Sequence, residues 1–362
     1  MKRLLVIVIA LSFIVPLFFG CAPNENKDVP VKLKWRYKTG FYGYSAPAVV
    51  NGVIYLVDQD GHLKAIDKET CKLIWQFYHE GRIGFFVPTV TNGLVFVGGY
   101  GGHYDSYSGL YAIDAATGKL KWRFDLTDSG KGCSTPIVVD GTVFVGDLIE
   151  MFYAVDAESG ELKWSYRIKK APARSVVADG VVYVGSLNNN LYAIDADSGE
   201  LKWQFTTGNP IITTPSLADN VVYMGSSDHH LYAIDSDTGK LKWCLEKGED
   251  YFSSPAVVDG VVYVGCTDKY LYALNAKNGE LKWRAEIGYP IDSPPTVVDG
   301  VVYVGSDDDY LYAIASSNGF QMWRYKTEGS IVSSIIIVND VIYFGSFGVK
   351  DNYLYALEIK KN

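Results

Sequence analysis

The chain lacks an excess of positive charge, and it is poor in histidine. Its 362 residues include 33 Lys and Arg against 41 Asp and Glu, with five His. A protein that binds nucleic acid without sequence preference needs a basic surface to neutralise phosphates, so the composition argues against that class. The low hydrophobicity of disordered chains is also missing, because 48% of the residues are hydrophobic. No segment keeps an apolar period of 3.6 residues long enough for a helix.

Long apolar runs are missing too, apart from one at the N-terminus. Lys2 and Arg3 precede an apolar stretch over residues 4–19, which Gly20 and Cys21 follow. This is the layout of a secretory signal. The stretch is shorter than the roughly 20 apolar residues of a membrane-spanning helix. We therefore predict a signal peptide over residues 1–21, a polar tether over residues 22–30, and an exported domain after it.

The residues around the first cysteine resemble a bacterial lipobox, in which a small residue precedes a cysteine that is lipidated and becomes the mature N-terminus. Gly20 and Cys21 match that pattern, whereas Phe18 and Phe19 depart from it. The resemblance implies lipidation at Cys21 and attachment to a membrane surface. The alternative is ordinary signal cleavage after Ala22, because small residues also stand on either side of Cys21.

All eight tryptophans are spaced almost regularly, with gaps of 40, 47, 42, 39, 40, 40 and 40 residues. They are Trp35, Trp75, Trp122, Trp164, Trp203, Trp243, Trp283 and Trp323. A period near 40 residues is typical of propeller blades and of helical arrays. Within each repeat, short runs rich in Val, Ile and Tyr alternate with Asp-Gly, Gly-Ser and Thr-Gly turns. This content predicts a meander of four strands, A to D, in every repeat.

Each repeat ends in an eleven-residue motif, Ala-x-Asp-x-x-Thr/Ser-Gly-x-x-x-Trp, of which residues 112–122 are the first full copy. The motif resembles the tryptophan-docking motif of the pyrroloquinoline-quinone-repeat β-propellers. Besides the tryptophans, the predicted blade-docking residues are Asp67, Asp114, Asp156, Asp195, Asp235, Gly118, Gly160, Gly199, Gly239, Gly279 and Gly319. Glycine permits positive φ in the C–D turn, the carboxylate accepts backbone N–H groups, and the indole packs between blades. The copies that depart from the motif contain Cys71, Asn275, Asn278 and Ala315.

The two ends of the chain predict how the ring closes. The last repeat stops before any tryptophan, and Trp35 has no A, B or C strand before it. Pairing the first strand with the last repeat would remove the open sheet edges of the ring. We therefore predict an all-β fold, a single eight-bladed β-propeller over residues 31–362, whose last blade takes its outer strand from the N-terminus.

The D–A and B–C connections lie on one face of such a ring, here called the loop face, and the A–B and C–D turns lie on the other, the turn face. The loop-face connections of blades 8, 1 and 2 are rich in aromatic residues. They are Phe41, Tyr42, Tyr44, Phe85, Phe86, Tyr100, Tyr104, Tyr107 and Phe347, the last in a longer loop over residues 347–352. Clustered exposed aromatics are typical of a protein-contact patch. The alternative is that these rings cap the central channel and bury one another.

Other polar groups on this face give weaker signals. The spacing of the three imidazoles near blades 1 and 2, His62, His79 and His103, matches no metal-binding motif, so we expect no metal. The run Asp307-Asp308-Asp309 lacks EF-hand spacing and predicts a solvated acidic rim. Arg174 begins a strand A where the other blades have neutral residues. It is a candidate to bind an anion in the channel, or else to pair with a neighbouring carboxylate.

The remaining cysteines are expected to be free thiols. The blade assignment separates Cys71, Cys133, Cys244 and Cys266. Bridged Cα atoms must lie within about 7 Å of each other.

The repeat family includes quinoprotein dehydrogenases, which add a longer chain, an adjacent Cys-Cys pair, a tryptophan under the quinone and calcium-binding carboxylates. Here no two cysteines are adjacent and every tryptophan stands at a motif position. We therefore expect no enzyme activity and no bound quinone. The layout resembles the BamB-type lipoproteins of the β-barrel assembly machinery. That resemblance implies a monomeric scaffold at the periplasmic face of an outer membrane, docking an insertase. The alternatives are a generic surface lipoprotein of a single-membrane cell and a ligand-sensing propeller.

Overall fold

The computed structural model describes residues 29–40, 46–57, 61–78, 82–83, 87–100, 109–126, 132–247, 250–348 and 352–360. Within these ranges the chain forms 33 strands in eight antiparallel sheets. No helix in this part of the chain is long and apolar enough to cross a membrane.

The strands follow the predicted meander blade by blade after β1 (Val31–Gly40). Blade 1 has β2 (Ala48–Val50), β3 (Val53–Val57), β4 (His62–Asp67) and β5 (Leu73–Tyr78). Blade 2 has β6 (Arg82–Ile83), β7 (Thr89–Thr91), β8 (Leu94–Tyr100), β9 (Gly109–Asp114) and β10 (Leu120–Asp125). Blade 3 has β11 (Ile137–Val139), β12 (Thr142–Gly146), β13 (Met151–Asp156) and β14 (Leu162–Arg167). Blade 4 has β15 (Pro172–Ala178), β16 (Val181–Ser186), β17 (Asn190–Asp195) and β18 (Leu201–Thr206).

The second half of the ring repeats the same pattern more regularly. Blade 5 has β19 (Ser216–Ala218), β20 (Val221–Gly225), β21 (His230–Asp235) and β22 (Leu241–Glu246). Blade 6 has β23 (Ala256–Val258), β24 (Val261–Gly265), β25 (Tyr270–Asn275) and β26 (Leu281–Glu286). Blade 7 has β27 (Thr296–Val298), β28 (Val301–Gly305), β29 (Tyr310–Ala315) and β30 (Gln321–Lys326). Blade 8 has β31 (Ile336–Val338), β32 (Val341–Phe347) and β33 (Asn352–Ile359).

The N-terminal strand closes the ring, as predicted. β1 pairs antiparallel with β33, so that blade 8 has the order β1-β33-β32-β31. Arg36 of β1 forms an ion pair with Glu328 at the end of blade 7, and its guanidinium lies 4.5 Å from the ring centroid of Tyr353. Lys34 pairs with Glu69 of blade 1 at 2.5 Å. β1 therefore forms ion pairs with blades 7 and 1, the two blades that adjoin blade 8.

The core is divided into layers between blades. The described residues form eight buried apolar clusters, and each cluster joins side chains of two neighbouring blades. In the cluster between blades 4 and 5, for example, Tyr183 and Leu191 pack with Val222 and Met224. Strands B and C are buried on two faces, which explains their nearly continuous Val, Ile, Leu and Tyr content. Each sheet depends on its neighbours for burial.

The motif tryptophans bridge these layers at the turn face. Seven indoles donate Nε1–H to a backbone carbonyl in the next blade's C–D turn, at 2.8–3.1 Å. The acceptors are Lys68, Ala115, Ala157, Ala196, Ser236, Ala276 and Ser316. These hydrogen bonds therefore connect each indole to the C–D turn of the next blade.

The turn glycines are needed for two reasons, of which sequence analysis identified one. All six motif glycines have φ between 68° and 76°, in the left-handed region. A Cβ at any of them would also lie 2.6–2.8 Å from the indole of the preceding blade. The side-chain-free surface is what allows the indole to lie flat against the turn. In blade 1, Cys71 takes the corresponding left-handed position, with φ 58°.

The motif carboxylates hold the same turns together. In Asp67, Asp114, Asp156, Asp195 and Asp235, Oδ1 accepts the backbone N–H and hydroxyl of the Thr or Ser three residues later. These hydrogen bonds hold the pKa of each carboxyl below its ordinary value.

A matched pair of substitutions separates the two roles of glycine. Gly199→Ala places Cβ 2.6 Å from Trp164, whereas Gly180→Ala has a similar φ and no atom within 4 Å. In each variant, placing alanine in the left-handed region lowers the free energy of unfolding by about 1–2 kcal/mol. Gly199→Ala should lose roughly 1–3 kcal/mol more through overpacking. Chemical denaturation followed by fluorescence measures the difference, and equal losses would contradict the packing role.

Removing the closing strand should destabilise the ring. Deletion of residues 31–38 exposes the edge of β33 and removes Trp35 together with the ion pairs to blades 7 and 1. We expect a loss of at least about 3 kcal/mol, the usual cost of truncating one large aromatic, and self-association through the open edge. Thermal unfolding and light scattering test this, with deletion of residues 22–28 as the control. A monomer as stable as that control would refute closure by β1.

Candidate functional site

The loop face departs from the repeat at blades 8 and 2. In blades 3, 5, 6 and 7 strand B has five residues and ends at a glycine, whereas β8 and β32 each run for seven. The end of β8 pairs with the additional strand β6, Arg82 opposite Tyr100. The end of β32 exchanges backbone hydrogen bonds with Ser330, N–H to O at 2.8 and 3.0 Å. The extended strands lead into the loops predicted to bind a partner.

The described residues include two of the predicted aromatic contacts. Phe347 is half-buried and lies within β32, opposite Asn352 of β33. The longer loop predicted over residues 347–352 is thus shorter than expected, because its ends continue the ladder. Tyr100 lies at the end of β8. The other candidates lie outside the described residues, namely Phe41, Tyr42, Tyr44, Phe85, Phe86, Tyr104 and Tyr107, as does Cys21. Their role as contact patch or channel cap stays a prediction.

On blades 5 to 7 the polar side chains of the loop face bond to their own scaffold. Asp228 Oδ2 accepts the Tyr232 hydroxyl at 2.8 Å and the Gly208 N–H at 2.7 Å. At the same place in blade 6, Asp268 accepts the Tyr272 hydroxyl at 2.5 Å and pairs with Lys247 at 2.8 Å. Each of these Asp residues fixes a B–C turn to strand C. Sequence analysis missed this role, although an Asp-x-x-x-Tyr spacing in blades 5, 6 and 7 signals it.

The predicted acidic rim of blade 7 is divided among different environments. Asp308 accepts the Tyr312 hydroxyl at 2.5 Å, and Asp309 pairs with Lys326 at 3.3 Å. Asp307 is half-buried, and burial together with the nearby Asp292 carboxylate raises its pKa. Only part of the acidic run is therefore a solvated rim. The carboxylates of Asp308 and Asp309 instead bond to a neighbouring tyrosine and lysine.

Arg174 lies on β15, the innermost strand of blade 4. Its side chain has access to solvent but is closely surrounded by protein, as expected at a narrow channel, and this burial lowers its pKa. Among the described residues no acceptor forms a hydrogen bond or ion pair with its guanidinium. The described residues therefore include no carboxylate partner for Arg174, which was the alternative that the sequence suggested.

The cysteines and histidines do not converge. The four cysteines that the structure describes are free thiols. Cys133 and Cys266 are buried, and burial raises the pKa of each to about 12. Within the described ranges no group of three or more His, Cys, Asp or Glu residues is arranged to hold a metal. His62 packs on Tyr78 with ring centroids 5.1 Å apart, and His79 and His103 lie outside those ranges.

One cleft lies on the opposite, turn face. It has a volume of about 730 Å³ between blades 2 and 3, and Phe96, Lys121 and Glu158 are among its lining residues. Two of the carboxylates that line it, Asp114 and Asp156, are the turn-holding groups described above. These two are thus already engaged in the scaffold. The repeat pattern gives no signal for this cleft.

Comparison with known proteins places the ring among established propellers. The model of the family described as outer membrane protein assembly factor BamB matches residues 30–84, 72–177, 169–292 and 283–361. The search of curated proteins gives no match. BamB from Moraxella catarrhalis has a similar structure, with a TM-score of 0.73 and 18% identity over 91% of this chain and 99% of that one.

Two dehydrogenases have a similar structure. A europium-containing methanol dehydrogenase gives a TM-score of 0.76 at 15% identity, over 92% of this chain and 94% of that one. Quinohemoprotein alcohol dehydrogenase from Comamonas testosteroni gives 0.74 at 16% identity, over 92% and 77%. At this identity such likenesses show the fold alone, whereas the family model covers nearly the whole ring. The chain therefore belongs to the BamB-type family of pyrroloquinoline-quinone-repeat β-propellers.

Proposed function

We propose that this protein is a non-enzymatic scaffold, anchored to a membrane through Cys21, that binds a protein partner at the loop face of blades 8, 1 and 2. The observation that carries the proposal is the extension of β8 and β32 beyond the repeat, with β6 added at the end of β8. Extended strands supply a rigid base for variable loops, the usual arrangement of binding surfaces. The aromatic content of those loops supports a protein as the ligand.

The use of the tryptophans supports a role without quinone chemistry. Seven indoles donate their N–H to a neighbouring turn. The eighth, Trp323, packs in the cluster between blades 7 and 8. An indole held at the outer rim is not placed to stack under a cofactor in the channel. We therefore propose that the protein binds no pyrroloquinoline quinone and is not a dehydrogenase.

The family match supports a place in the cell envelope. The matching model is described as an outer membrane assembly factor. In a cell with two membranes we propose a location at the periplasmic face of the outer membrane and a β-barrel assembly insertase as the partner. In a cell with one membrane the same anchor would make it a surface lipoprotein. Arg174, with no described counter-charge, favours a second candidate, a propeller that senses a small anion in its channel.

Capture of the partner tests the proposal. Full-length protein, gently crosslinked in its native membrane and then purified, should bring down a membrane β-barrel protein. Tyr42→Ser combined with Tyr44→Ser should reduce that capture at least tenfold, because the rings would be contact residues. Lys240→Ser on the turn face of blade 5 is the matched control and should capture normally.

Two results would contradict the scaffold. One is recovery of monomer alone from the native membrane. The other is quinone absorbance in native material, together with dye-linked alcohol oxidation after addition of calcium. A propeller that captures nothing but is stabilised by small anions, with the effect lost in Arg174→Gln, would favour the second candidate.

A further inference from the structure

The tether enters the ring on the turn face, between blades 7 and 8. Val31 pairs with Ile359, at the end of strand C where every other blade makes its C–D turn. Lys360 donates its backbone N–H to Pro30 O at 2.9 Å and its Nζ to Val29 O at 2.8 Å. Val29 also packs in the apolar cluster that contains Trp323. The first described residues are thus fixed at this edge.

Blades 2 to 5 keep a charged pair at the start of strand D on that face. The motif Asp forms an ion pair with a Lys seven residues later, at 3.1–3.8 Å. The pairs are Asp114–Lys121, Asp156–Lys163, Asp195–Lys202 and Asp235–Lys242. This pair keeps the outer edge of each blade charged and solvated.

Blade 1, in which Ile74 takes the Lys position, and blades 6 and 7 lack the pair, and blade 7 lies beside the tether. In blade 6 the Asp is Asn275, and within the described residues Lys282 has no carboxylate partner. In blade 7 the two positions are Ala315 and Met322. Phe320 also stands where the complete motifs have Lys or Glu. In blade 7, therefore, apolar residues have replaced the charges of the motif.

The result is an exposed apolar edge, here called the apolar rim and made of Leu281, Lys282, Phe320 and Met322. Phe320 is 68% exposed, Leu281 54% and Met322 51%. Single exposed apolar residues are ordinary on protein surfaces. Leu281 stands where blades 2 to 5 also have an exposed leucine, whereas Phe320 and Met322 occupy positions at which those blades have a charge. Apolar side chains beside an unpaired lysine are the composition of membrane-interface surfaces.

The length and composition of the tether limit what can cover the apolar rim. Seven residues lie between Cys21 and Val29, and the eight steps of an extended chain, at about 3.3–3.6 Å each, span at most roughly 30 Å. An anchor at Cys21 would therefore keep this edge of the ring close to the bilayer. Residues 22–28 read Ala-Pro-Asn-Glu-Asn-Lys-Asp, which offers no large apolar side chain to cover Phe320.

We propose that the apolar rim contacts the headgroup and acyl boundary of the bilayer that holds the anchor, with the turn face toward the membrane and the loop face toward the partner. The inference rests on the anchoring part of the proposed function. Phe320 and Met322 enter the boundary, while Lys282 stays at the level of the lipid phosphates. This contact adds a second attachment to the lipid chain and fixes the orientation of the ring.

Photocrosslinking tests the contact in the full-length lipidated protein. The photoreactive p-benzoyl-phenylalanine is placed at Phe320 or, as the matched control, at Lys240, the same motif position in blade 5. The protein is reconstituted in vesicles of phosphatidylethanolamine and phosphatidylglycerol. Mass spectrometry counts lipid adducts and verifies the lipid on Cys21 in the same sample. We expect at least fivefold more lipid adduct at position 320 than at position 240.

A second variant introduces the charges that blades 2 to 5 have at these positions. Phe320→Lys with Met322→Lys should lower lipid adducts to a probe at Leu281 at least fivefold, while unfolding stability and partner capture stay unchanged. Equal adducts at 320 and 240 on lipidated protein, or adducts at 320 to another protein chain, would overturn the inference and leave the proposed function standing. A Cys21 without lipid would overturn the anchor, and this inference with it.

Discussion

The structure depends on one contact made around the ring, the indole of one blade lying on the glycine turn of the next. A single four-stranded sheet has two apolar faces and cannot bury them alone. The indole supplies apolar area to the interface, and its Nε1–H satisfies a turn carbonyl of the adjacent sheet. Because the donor lies in one blade and the acceptor in the next, the contact sets the spacing and angle of neighbouring sheets. The motif aspartate, which holds that C–D turn together, therefore contributes to the same contact between blades.

A chain of such contacts has two ends, and the closure of the ring follows from that fact. The last blade lacks its own D strand, and the first strand lacks a blade. β1 fills the vacancy and presents Trp35 to blade 1, where its indole donates to Lys68 O at 2.8 Å. The Arg36 pair to Glu328 and the Lys34 pair to Glu69 add ionic contacts from β1 to blades 7 and 1. Entry of the chain at the turn face is a consequence of this closure.

Most of the fold was predictable because its signals are local and repeated. Trp spacing, Asp-Gly and Thr-Gly turns and strand composition gave the blade number, the meander and the closure. The second role of the motif glycines was not predictable, since the approach of Trp164 to Gly199 depends on how sheets pack. The length of β32 was misjudged for a similar reason. Phe347 looks like a loop residue in the sequence, yet Ser330 of the adjoining D–A loop extends the ladder to it.

The candidate site is less predictable because it lies where the repeat is interrupted. A repeat reveals its constraints through what recurs, so the Asp in the B–C turns of blades 5 to 7 is recognised as structural once Asp228 and Asp268 are both seen to accept the hydroxyl of the Tyr four residues later. A position at which one blade departs from the repeat instead indicates a local role that the other blades do not share. The turn face loses its charged pairs beside the tether, and the loop face gains strand length at blades 8 and 2. A rigid ring keeps such interruptions at fixed positions on its two faces, so one face can meet a membrane while the other meets a protein. In the proposed arrangement the tether would restrict which edge of the ring approaches the membrane, and the loop face would be left for the partner.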